Sequence, residues 1–131
     1  MRKVIRDEIE KKYKSVNAFV KESGTIPYSG LLGFLNHKHI GIHFDSVQKA
    51  ADMLGLAFFE KGEIAPGANL REQLSIRIER EKSRLHFCET AAKVPLNYSN
   101  FNGFLNGKRG IYTCVFETAY KRLGLELRPV K

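Results

Sequence analysis

Two short stretches carry side chains suited to recognising a polyanion. Residues 28–38 read YSGLLGFLNHK; residues 98–108 read YSNFNGFLNGK and are followed by Arg109. Seven of these eleven positions are identical: Tyr, Ser, Gly, Phe, Leu, Asn and Lys. Hydroxyls open each run, an asparagine closes it, and a cation follows. Hydroxyls and amides near a helix N-terminus can bond phosphates and base edges, and a lysine or arginine just beyond the helix meets phosphate. The candidate contact residues are Tyr28, Ser29, Leu32, Gly33, Asn36 and Lys38 in the first stretch. In the second they are Tyr98, Ser99, Asn100, Asn102, Asn106, Lys108 and Arg109. Small Gly33 and Gly103 would let the helix backbone approach a duplex closely. Asn102 is the sharpest candidate for base reading, because its amide suits a bidentate pair with adenine.

Other chemistry finds little support. His37, His39 and His43 share a Lys-containing loop without the spacing of a zinc site. His86 has no acid or nucleophile partner in the sequence, no Gly-rich phosphate loop follows a strand, and no paired carboxylates line a predicted cleft. The expectation is a binding protein without enzyme activity, cofactor or metal. Cys88 and Cys114, without Cys-x-x-Cys spacing, read as two small buried hydrophobes. At 131 residues the chain excludes a large multidomain enzyme, and 22 Lys and Arg against 14 Asp and Glu give a net charge of +8, which favours an anionic partner. With no apolar run of membrane-spanning length and a charged N-terminus, the chain is expected to be cytoplasmic, with no membrane partner.

The elements that position these residues come in two copies. Ser15 and Pro27 are spaced as Ser83 and Pro95 are, and Leu54-Gly55-Leu56 answers Leu123-Gly124-Leu125. The second copy inserts Leu96 and Asn97 between its Pro and its Tyr. The copies span residues 1–61 and 69–131, with a Gly- and Pro-bearing linker at 62–68. Their charges differ: +2 for residues 1–68 and +6 for residues 69–131. Apolar spacing of three to four predicts helices over 2–13, from Ser15 to Gly24, over 27–36 and over 44–54, then over 70–82, 84–92, 98–106 and 113–123. Ser15 and Asn97 are predicted N-caps, and Asn69 with Glu72 forms a capping box. Ala57-Phe58-Phe59 and Leu125-Glu126-Leu127 read at most as short extended tails, so the predicted fold is all-α: two tandem four-helix units.

The stretch from Ser15 to Leu56, and its repeat, resembles the repressor/Cro-type helix-turn-helix family. The resemblance rests on a helix stopped at Gly24, the runs Phe34-Leu35-Asn36-His37-Lys38 and Phe104-Leu105-Asn106-Gly107-Lys108, and a further helix closing in Leu-Gly. It departs at Thr25, an extra turn residue, and at Ala91-Ala92-Lys93, where the second copy lacks the turn glycine. The resemblance implies a sequence-specific regulator of transcription that binds double-stranded DNA, with the start of the third helix of each copy reading bases. Two units in one chain would act as a pseudo-dimer, with a homodimer as the other arrangement. The competing reading is an antitoxin-like or adaptor module of the same helical fold that contacts protein and not DNA.

Overall fold

A computed structural model describes residues 1–37, 41–93 and 95–130. Each copy contributes four helices: α1 (Arg2–Lys12), α2 (Val16–Ser23), α3 (Tyr28–Asn36) and α4 (Phe44–Leu54), then α5 (Leu70–Glu79), α6 (Arg84–Thr90), α7 (Tyr98–Leu105) and α8 (Thr113–Arg122). Four of them start at a serine or asparagine side-chain cap. Ser15, Asn69, Ser83 and Asn97 accept from the amides of Ala18, Glu72, His86 and Asn100. Each cap satisfies one of the amides that a helix start leaves without an intrahelical partner.

The expected all-α fold is overturned by a sheet. Among the described residues three strands, β1 (Leu56–Glu60), β2 (Glu63–Ile64) and β3 (Glu126–Pro129), pair antiparallel in the order β2-β1-β3. The tails beyond α4 and α8 are therefore strands, and part of the expected 62–68 linker is β2. The reason is tertiary. Neither tail alternates for long enough to register as a strand, and a lone strand of four or five residues gains nothing by itself. Pairing with the tail of the other copy supplies the hydrogen bonds and buries Phe58 and Leu127 between more exposed neighbours. The hairpin from β1 to β2 turns on Lys61 and Gly62, with φ of 52° and 84°. Two positive φ values are the geometry of a tight two-residue hairpin, usually signalled by Asn-Gly or Asp-Gly.

Equivalent residues of the two copies meet each other. Phe58 pairs with Leu127, the residue in the same place in the second copy, and His43 pairs with Tyr112 in the same way. Around the second pair, Phe44 N donates to Ile111 O and Thr113 N donates to Ile42 O, each at 2.8 Å. Such reciprocity, in which each contact has its mirror, is the mark of a two-fold interface, here formed within one chain.

The buried side chains of both copies form one contiguous core. Phe44 packs on Phe104 and Phe116 with ring centroids 4.8 and 4.6 Å apart, and Phe58 packs on Tyr120 at 4.9 Å. Two polar ties cross the molecule. Arg2 donates to Phe34 O and to the buried carboxylate of Glu117, both at 2.8 Å. Gln73 is buried and acts as a substitute peptide group: its Oε1 accepts from Phe58 N at 3.0 Å, and its Nε2 donates to Phe58 O and Ala65 O at 3.2 and 2.8 Å. Gly67 lets the chain pass, since a Cβ there would lie 2.6 Å from Gln73 N.

Replacing Gln73 by Leu keeps the volume but strands Phe58 N–H and Ala65 C=O. At about 1–3 kcal/mol per buried unsatisfied group, Gln73→Leu is expected to lower unfolding free energy by about 3 kcal/mol. Urea titration should show an earlier midpoint with an unchanged slope; an unchanged midpoint would show that the amide is not needed.

Candidate nucleic-acid interface

In each copy the first turn of the third helix faces solvent. α2 stops at Gly24, in the left-handed region with φ 73°, and α3 begins with exposed Tyr28 and Ser29. In the second copy Tyr98, Ser99 and Asn100 are exposed at the start of α7. The tyrosines leave 44% and 41% of their surface in water, enough for the hydroxyl end of each to reach a partner. Leu31 and Phe34, with Phe101 and Phe104, anchor the opposite faces in the core.

The remaining candidates fall into different surroundings. Leu32 and Gly33 are half-buried, and Lys108 and Arg109 are exposed; Lys38 lies outside the described residues, as does His39. Arg109 Nη1 donates to Asn100 Oδ1, so a cation and an amide act together at the start of α7. Gly103 makes room for that arginine: a Cβ would lie 3.1 Å from Arg109 Cδ. The close approach that Gly103 permits in this structure is by Arg109.

The repeated asparagines are held by arginines that the sequence reading did not single out. Asn36 Oδ1 accepts from Arg6 on α1. Asn106 Oδ1 accepts from Arg84 Nη1 on α6 at 2.8 Å, and the same nitrogen reaches Asn102 Oδ1 at 2.9 Å. Arg84 also bonds Ser75 and Glu79, both at 3.1 Å. The Asn102 carbonyl, the acceptor half of a bidentate pair with adenine, thus carries an internal bond. These arginines left no signal in the sequence because each reaches its asparagine from another helix, at separations of 30 and 22 residues.

One further expectation changes. Cys88 is buried as expected, but Cys114 is exposed, because it sits on the outward side of the first turn of α8. His43 serves as a helix cap: its Nδ1 accepts from Asp45 N at 3.3 Å at the start of α4. Among the described residues no group of three His, Cys, Asp or Glu stands together, and no helix is long and apolar enough to cross a membrane.

Removing the brace should free the asparagines without unfolding the chain. In Arg84→Ala the side-chain amide resonances of Asn102 and Asn106 are expected to move toward solvent-exposed values, at a stability cost of about 1 kcal/mol for the lost, partly exposed bonds. Unmoved resonances would show that the brace is absent in solution. Comparison with protein-family models, with curated proteins and with solved structures finds no match to this chain.

Proposed function

We propose that the chain is a cytoplasmic regulator of transcription that binds double-stranded DNA sequence-specifically, with its two copies acting as the halves of a covalent pseudo-dimer. It is a binding protein, without catalysis, metal or cofactor. The observation that carries the reading is the duplicated, exposed start of α3 and α7, with hydroxyls at the same positions in both copies, around a reciprocally paired centre. Tyr28, Ser29, Tyr98, Ser99 and Asn100 are the base-reading candidates. Lys108 and Arg109, with Lys38 from the sequence, meet phosphate, and Asn36 and Asn106 brace the helix ends.

The +8 charge supports an anionic partner, and its distribution assigns most phosphate contacts to the second copy. The two halves of the site need not match: Gly30 stands where Asn100 stands, and Leu32 where Asn102 stands. The helical protein-interaction module is the second reading, favoured by apolar surface beside α7, where Tyr112 is 65% exposed.

A gel shift of random duplex against single-stranded DNA separates the two. With about six phosphates neutralised, log affinity for duplex should fall with log salt at a slope of about −5. Salt-independent binding, or none, would remove the DNA reading. On a selected site, Ser99→Ala should relax one base position, whereas Lys108→Ala should weaken all duplexes alike. A footprint of one chain should cover two major-groove segments about 10 base pairs apart. A requirement for two chains per site would replace the pseudo-dimer by a homodimer of whole chains.

A further inference from the structure

The two copies differ most beside α7. The inserted Leu96 and Asn97 border a cleft of about 750 Å³, and α8 supplies a further wall through Cys114, Val115 and Thr118. At the matching places on α4 the first copy has Asp45, Ser46 and Lys49, two charges and a hydroxyl. The cleft is thus made by the features that set the second copy apart: its insertion and the loss of charge from one helix face. Phe101 and Ile111, buried beneath it, give it an apolar floor. Its volume lies within the range of about 300–1,000 Å³ typical of small-molecule sites.

The charge at its rim has one sign. Arg109 borders the cleft, and among the described residues that line it there is no carboxylate. The guanidinium bonds the neutral Asn100 amide, and the pair is exposed, so exchanging that partner for an anion costs little. An apolar floor with a single cation at the edge matches an apolar body carrying one negative charge.

We propose that this cleft binds a small apolar anion, an aromatic or branched-chain carboxylate or sulfonate, whose hydrocarbon part rests on Phe101, Ile111 and Val115 and whose anionic group pairs with Arg109. Because Arg109 and Asn100 also belong to the proposed duplex-contacting surface, occupancy withdraws a cation from DNA. That regulatory consequence rests on the function proposed above; the binding site itself does not.

The chain carries its own reporter. Cys114 is exposed and lines the cleft, whereas Cys88 is buried, and burial, with the adjacent Glu89 carboxylate, pushes its thiol up. Iodoacetamide, which is neutral, should therefore modify Cys114 first. With the intact chain and 8-anilinonaphthalene-1-sulfonate as probe, saturation is expected at one probe per chain, with at least fivefold slower alkylation of Cys114. Arg109→Ala, at an exposed position, should weaken the probe at least fivefold. Alkylation slowed less than twofold, or protection that survives Arg109→Ala unchanged, would overturn the site. Protection that appears without probe as protein concentration rises would also overturn it, by assigning the cleft to a second copy of the chain. In the gel shift the bound probe should weaken duplex binding at least threefold, and an unchanged shift would overturn the regulatory part. A chain that shifts duplex but shows no probe protection loses the cleft alone; one that is protected but shifts no duplex loses the DNA reading alone.

Discussion

Two backbone hydrogen bonds, from Phe44 N to Ile111 O and from Thr113 N to Ile42 O, fix everything around them. They join residues 42–44, just before α4, to residues 111–113, just before α8. Where α4 and α8 end, their tails lie side by side and pair, and β2 adds to the far side of β1. Gln73 then fastens the near edge of β1, and with it the passage from the first copy into the second. Each copy alone would leave a row of polar backbone groups and half of an aromatic core exposed, so the sixty-residue unit has no independent reason to hold its shape.

The interface is reciprocal in its backbone and unequal in its side chains. Phe44 faces the axis in the first copy where Thr113 does in the second; Val47 and Ala51 correspond to Phe116 and Tyr120. Large residues on one side are matched by small ones on the other, as close packing demands when two equivalent faces share one space. Thr113 keeps the polarity balanced: fully buried, its Oγ1 accepts from Ile42 N at 3.0 Å. The aromatic contacts add about 0.5–1.5 kcal/mol each beyond the area they bury.

What was legible in the sequence was local. Helix positions followed from apolar spacing, and the caps at Ser15, Asn69 and Asn97 from one residue each, because both depend on neighbours within a turn. The strands escaped because their partners are distant: LAFFE and ELRP become strands only through pairing between copies, and Lys-Gly is a weak hairpin signal beside Asn-Gly. Among the candidate contact residues, the exposed starts of α3 and α7 follow from helical period alone. The bracing of Asn36, Asn102 and Asn106 does not, since Arg6 and Arg84 approach from other helices. Cys114 escaped for a related reason: composition makes cysteine a buried residue on average, and only the facing of α8 puts this one outside.

The position of the first helix has a temporal consequence. α1 packs against β3, and Arg2 pairs with Glu117 across 115 residues of chain. During synthesis the contacts of α1 with β3 and Glu117, and those of α4 with α8, must therefore wait until the second copy emerges. Contacts of such long sequence separation close slowly, because loop entropy is lost before they repay it. A ribosome-bound chain halted at the end of the first copy would carry exposed Phe44 and Phe58 and an unpaired β1, a strand edge open to any neighbouring nascent chain. Emergence of the second copy, and not completion of the first, is the event that covers these side chains and pairs this strand.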